Sequence, residues 1–275
     1  MKQRRSLLDL ILNIIIVFFA VLSFFPLYWL LASSFKFSHD IIKIPPMWYP
    51  ENFTLQNYYN LFSQSNTWKW LINSLIVAGA TTVLIVLVST LAAYAFAKLN
   101  FFGKNVLFIV FISTLMLPKE VYIVPLFKVT QYMGISGGFA GTILPNVAMS
   151  LGIFLLKQYF EGIPNALREA AKVDGAHELT IFIRIYLPTV TAGIAALSVL
   201  MFVQTWNDYL WQLIQLTKDE LKTIQLGVAG LQSEHHPDYG LIMAGAVYAA
   251  LPLSIIFMLF QKYFTQGITM GAVKE

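Results

Sequence analysis

The sequence of 275 residues contains no cysteine, so disulfides, thiol nucleophiles and cysteine-ligated zinc are excluded together. Charge is scarce as well: 12% of residues are Asp, Glu, Lys or Arg, against about 25% in an ordinary soluble domain. The net charge of +4 is small and gives no reason to expect nucleic acid. No G-x-x-x-x-G-K-S/T run occurs, so the chain has no phosphate loop to cradle ATP. His177, His235 and His236 lack the H-E-x-x-H spacing of a zinc protease, and Glu234-His235-His236-Pro237-Asp238 reads as an exposed loop rather than a metal site.

What is abundant is apolar: 57% of residues are hydrophobic and the mean hydropathy is +0.67, the composition of a membrane protein. Six apolar stretches, about 10–33, 71–97, 106–127, 139–156, 186–206 and 241–260, approach or exceed the roughly 20 residues that cross a bilayer as helix. The expected fold is therefore all-α, a polytopic bundle of six transmembrane helices. The first stretch follows Lys2, Arg4 and Arg5 and is longer than the ~7–15-residue apolar core of a cleavable leader, so it reads as a retained span. The third reads as one broken span reaching the outer surface near Pro118. Pro26 and Pro145 also fall inside spans, where neighbouring helices must re-satisfy the freed backbone groups.

Basic residues set the orientation. With the N-terminus inside, Lys98, Lys104, Lys157, Arg168, Lys172 and Arg184 fall in short inner segments, and the fewer outer lysines are spread over longer loops. The first outer segment, to about residue 70, carries Trp48, Tyr49, Trp68 and Trp70, which read as interfacial anchors. Apart from Lys119 and Glu120 at the break, the spans hold no Asp, Glu, Lys or Arg. A proton- or sodium-coupled carrier usually keeps ionisable groups in the membrane, so energy is expected to arrive through a partner.

One charged segment stands apart, on the inner side after span four. Pro164 suits the first position of a helix running to Val173, and Gly175 falls where a left-handed stop belongs. Ala166, Ala170 and Val173 recur at helical spacing and make a small-residue face beside Glu169. The plainest alternative is a solvated Glu169–Lys172 pair with no further role. Candidates to line a transport path are Asn73, Asn146, Gln204, Trp206 and Asn207, amides and a ring of the kind that hold sugars; each alone is as readily a helix–helix contact.

Glu169-Ala170-Ala171, Asp174-Gly175 and then Ile185-Tyr186-Leu187-Pro188 resemble the coupling loop of permease subunits of binding-protein-dependent ABC importers. Met116-Leu117-Pro118, Trp206-Asn207-Asp208-Tyr209 and the ending Gly271-Ala272-Val273-Lys274-Glu275 resemble the carbohydrate-uptake branch, in particular the second permease of maltose- and lactose-type systems. The resemblance implies a core of residues 71–262 with its coupling loop at about 163–188, preceded by an added segment, 1–70, and followed by a cytoplasmic tail, 263–275. It implies that Glu169, Ala170, Ala171, Asp174 and Gly175 couple to an ATPase. It implies as partners a second permease in a heterodimer, two cytoplasmic ATP-binding subunits and an extracytoplasmic sugar-binding protein, all at the cytoplasmic membrane of a prokaryote. That binding protein would meet the outer loop around Gly227, Gly230 and Gln232, and the tail would lie against the ATPases. No catalytic residue, metal or cofactor belongs to this chain. Import of glycerol phosphate or a polyol is the alternative within the family, and an ion-coupled carrier the alternative outside it. His177 departs from the family pattern, which has Ser, Thr or Asn there, and leaves the next helix less well capped.

Overall fold

The computed structural model describes residues 7–232 and 237–272, with side chains for 9–232 and 237–260. Lys2, Arg4 and Arg5, residues 234–236 of the Glu-His-His loop and the last three residues of the tail lie outside the described residues. Among those described there are helices and no strand. In order they are α1 Leu7–Ser34, α2 Ser38–Ile41, α3 Gln56–Gln64, α4 Thr67–Lys98, α5 Lys104–Ser113, α6 Lys119–Tyr132, α7 Phe139–Ile143 and α8 Ser150–Glu161. Then follow α9 Ala166–Val173, α10 Glu178–Ile181, α11 Leu187–Thr189, α12 Thr191–Trp206, α13 Leu210–Gln215, α14 Ile224–Ala229 and α15 Tyr239–Ala272.

Three of these helices are long and apolar enough to cross a membrane alone: Asp9–Ser34, Thr67–Lys98 and Tyr239–Phe260. Three bent pairs bring the number to six if each is one span. Their joints bear the mark of proline. Pro118 precedes α6, Pro145 sits in the turn after α7, and Pro188 lies in α11; the bends there are 109°, 42° and 75°. The third stretch, expected as one broken span, is divided at Pro118 into α5 and α6, which diverge by more than a right angle.

The chain divides into two compact units. Among the described residues, one joins the positions up to 67 to 227–251. Within it α1 stays exposed until its last turn, as an apolar helix does when lipid or another chain covers it. The segment after α1 is packed rather than loose. Phe35 stacks on Phe53 at 4.8 Å, buried Asn57 donates to the Ser34 and Lys36 carbonyls at 2.8 Å each, and the Lys36 ammonium lies 4.5 Å over the Trp29 ring. Trp48 leans on Phe25 and Trp29. Asp238 caps α15 by accepting from the Leu241 N–H at 3.0 Å.

The other unit holds residues 68–226 with 252–275. Here Trp70 is buried within the protein, whereas Trp68 is exposed. Helices α4, α8 and α12 approach so closely that a side chain on Gly152 would strike Ser89 at 2.5 Å and Leu197 at 3.3 Å. Below that contact a core gathers Tyr94, Phe160, Phe182, Tyr186, Leu197 and Met201. Residues 182–186 form a π-helical turn, a widened backbone that turns both Phe182 and Tyr186 inward.

Candidate functional site

Helix α9 begins at Ala166, two residues later than the sequence suggests, because its approach is held elsewhere. The Lys98 ammonium, at the end of α4, donates to the Ile163 carbonyl and to Asn165 Oδ1, at 2.9 Å in the latter case. The end of α9 is as expected. Gly175 has φ +78°, its N–H donates to the Lys172 carbonyl at 3.0 Å, and the Ala176 N–H donates to the Ala171 carbonyl at 3.0 Å. These two bonds close the helix in a left-handed stop that only glycine adopts without strain.

The helix divides cleanly into two faces. Ala171 is buried among the core residues, so its methyl seats the helix and is not available to a partner. Ala166, Glu169, Ala170 and Val173 are exposed, Val173 to 88%. Asp174 and Gly175 are exposed at the end of the helix. The Glu169 carboxylate makes no hydrogen bond or ion pair among the described residues. The Glu169–Lys172 pair, the plainest alternative for this helix, does not form, because Lys172 turns to Glu178 instead, at 3.4 Å.

Glu178 is the residue that sequence reasoning missed. Its carboxylate accepts from Arg168 Nε and Nη2, at 2.8 Å each, and from the Tyr94 hydroxyl at 2.5 Å. The Arg168 guanidinium holds the Glu178 carboxyl down at about 2, against the opposing effect of partial burial and with help from Tyr94. The available signal was spacing: Arg168 and Lys172 are four apart on one face of α9, and Glu178 is the next acid past the glycine turn. His177 makes no side-chain cap at the start of α10, as its departure from the family pattern implied. Under the loop lies an aromatic floor, with Tyr94 at 5.0 Å from Phe182, 5.1 Å from Tyr186 and 5.7 Å from Phe160.

The five path candidates make different contacts. Asn73 is buried and donates to the Glu220 and Lys222 carbonyls at 2.8 and 2.9 Å, stapling a loop. Trp206 is buried and stacked on Phe202 at 5.6 Å. Gln204 is exposed, and Asn207 closes α12 by donating to the Val203 carbonyl at 3.0 Å. Asn146 lies 3.4 Å from the Lys119 ammonium, which pairs with Asp208 at 2.7 Å. The segment expected as a long outer loop, 207–240, is largely helical: α13, α14 and the turn at Asp219–Leu221 bury Trp211, Gln212, Gln215 and Ile224. Gly227 is buried within α14 and so offers no contact surface, whereas Gly230 and Gln232 are exposed. No cluster of potential metal ligands occurs among the described residues.

This helical architecture is shared with a solved subunit of a bacterial ABC transporter involved in the import of the acidic polysaccharide alginate, at TM-score 0.85 and 19% identity, over 96% of this chain and 99% of that one. Residues 85–270 match the family described as binding-protein-dependent transport system inner membrane component. The chain is 34% identical over 272 residues to the arabinooligosaccharides transport system permease protein AraQ of Bacillus subtilis (strain 168), covering 98% of this chain and 97% of that one. It is also 34% identical over 271 residues to the lactose transport system permease protein LacG of Rhizobium radiobacter, covering 98% of each. The chain belongs to the binding-protein-dependent transport system inner membrane component family. It is thus a membrane-embedded permease subunit, and the ion-coupled carrier is not favoured.

Proposed function

We propose that this chain is one of two permeases in an ATP-driven importer of sugars, and that α9 is the helix by which ATPase subunits drive it. One observation carries the coupling reading. On α9 the cations Arg168 and Lys172 are paired inward to Glu178, and Glu169 alone carries an unpaired charge, on an exposed face otherwise built from Ala166, Ala170 and Val173. Small side chains let another backbone approach, and a carboxylate among them suits a basic side chain in the facing groove.

ATP hydrolysis then belongs to separate cytoplasmic subunits, with both termini and the α9 loop on their side of the membrane. An extracytoplasmic binding protein delivers the solute at the opposite face, near Gly230 and Gln232. The sugar reading is supported by relatives named for arabinooligosaccharides, lactose and diacetylchitobiose. Glycerol phosphate and polyols are the alternative cargo.

The test is Glu169→Lys in the reconstituted transporter. The variant should insert normally and lose solute-stimulated ATP hydrolysis and uptake, with partial rescue by reversing the facing charge on the ATPase. Uptake at the wild-type rate would refute the role of Glu169. Uptake driven by an ion gradient without ATP would refute the class.

A further inference from the structure

Docking alone moves nothing unless the docked helix is tied to the spans, and the ties are few. Ala171 contributes an apolar seat. Lys98 grips the approach to α9, not the helix itself. Among the described residues the polar link is the Glu178 carboxylate on α10, which gathers groups from two other elements at once. Arg168 and Lys172 come from α9, and the Tyr94 hydroxyl comes from α4, 84 residues away in sequence. Glu178 itself opens α10, which leads through the π-helical turn and α11 towards α12.

We propose that Glu178 is the positioning residue that transmits motion of α9 to α4 and to the start of the fifth span, with Tyr94 as its contact on the membrane side. The proposal rests on α9 being the ATPase-docking helix. Its geometry is that of a joint. The planar Arg168 fork is held through both carboxylate oxygens, which fixes the angle of α9 as well as its distance. The Tyr94 hydroxyl then fixes the carboxylate against a helix that spans the membrane. Glu169 faces outward from the same helix, so the residue that receives the partner and the residue that passes the force inward are distinct.

The experiment measures solute uptake per ATP hydrolysed in proteoliposomes holding the complete transporter, together with retention of the ATPase subunits on purification. Glu178→Gln keeps the size and removes the charge. It should lower uptake per ATP by roughly tenfold, inside the 5–150-fold range of ordinary coupling free energies, with ATPase retention unchanged. Tyr94→Phe leaves the Arg168–Glu178 fork intact and cuts only the link to α4. It should lower the same ratio by a smaller factor, and it keeps the proposal testable if Glu178→Gln does not assemble. An unchanged ratio in Tyr94→Phe, or activity lost in Glu178→Gln only in proportion to lost ATPase subunits, would overturn the proposal. Failure of the docking reading shows differently, as full ATPase retention and full activity in Glu169→Lys.

Discussion

Replacing Gly175 with alanine isolates the left-handed stop from every other feature of the loop. An added Cβ at Gly175 meets no atom within 4 Å, so the substitution causes no clash, and the only cost is that of φ +78° for a residue with a side chain. That cost is about 1–2 kcal/mol. The helix can escape it by giving up the bonds from Gly175 to Lys172 and from Ala176 to Ala171, after which the chain leaves α9 in a new direction and Glu178 no longer meets Arg168. The expected result for Gly175→Ala is normal insertion and faster amide exchange at residues 171–178 by roughly five- to thirtyfold, the ratio that about 1–2 kcal/mol represents. Gly175→Asn should be milder, because asparagine tolerates the left-handed region, and a β-branched residue should be worse. Gly134 supplies the control. It has φ +70°, open space around its Cβ, and the same pair of closing bonds, from Gly134 to Gln131 and from Ile135 to Thr130, at the end of α6. Gly134→Ala should bear a similar conformational cost and leave solute-stimulated ATP hydrolysis intact. If both alanines impair hydrolysis equally, the defect is general destabilisation and the argument for Gly175 fails.

Other measurements follow from the same geometry. Asn73→Ala should destabilise the turn at residues 219–223 by about 1–2 kcal/mol, the worth of two hydrogen bonds, and increase its proteolysis without changing the solute preference; a changed preference would return Asn73 to the transport path. The Tyr186 hydroxyl is buried with no hydrogen-bond partner among the described residues, so Tyr186→Phe should leave thermal stability unchanged or raise it slightly, and a clear fall in melting temperature would show that the hydroxyl is satisfied in the assembled transporter. Glu178 has a carboxyl held at about 2, below the ordinary ~4.3 of the unfolded chain, so its contribution to loop order is complete above pH ~4.3 and is lost as pH falls towards 2. Amide protection of α9, corrected for intrinsic exchange, should stay level down to that range in the wild type, and protection already failing near pH 6 would contradict the assignment.

The class of fold was legible because bilayer physics leaves so few options: apolar stretches of sufficient length, with no charge inside them, fold as helices in any arrangement. The bends were only partly legible. Pro118 and Pro145 mark two of them, Pro188 at the third does not read as a break, and Pro26 lies inside the unbroken α1; proline only removes a donor and crowds the preceding turn, and the 109° at Pro118 is decided by what α5 and α6 pack against. Residues 207–240 misled for a related reason. Their glycines, proline and charges read as an exposed loop, while Trp211, Gln215 and Ile224 are buried with hydrogen bonds to Thr142, Thr130 and Ser74, far away in sequence. Amides gave the weakest signal of all. Asn73 and Asn207 serve backbone carbonyls in the structure, and nothing in an amide's identity says whether its partner is a carbonyl or a solute.

The coupling loop shows where local reading ends. The Gly175 stop is a short-range device, and a sequence displays it because every participating atom lies within six residues. Glu178 is different in kind. Its pairing with Arg168 and Lys172 spans a turn, and its bond to Tyr94 crosses 84 residues, so no window of sequence contains the joint. The same fact explains why the exposed charge of Glu169 can be read from a short window while the partner of Lys172 cannot. A helical pair three residues apart is worth only about 0.2–0.5 kcal/mol, and it loses to a carboxylate that already holds a bidentate arginine and a tyrosine hydroxyl. Once Glu178 draws both cations inward, Glu169 is left as the one exposed charge on α9 without a partner among the described residues. The inward joint and the outward docking charge are therefore two consequences of one competition, which is why a substitution at Glu178 is read in uptake per ATP and one at Glu169 in retention of the ATPase.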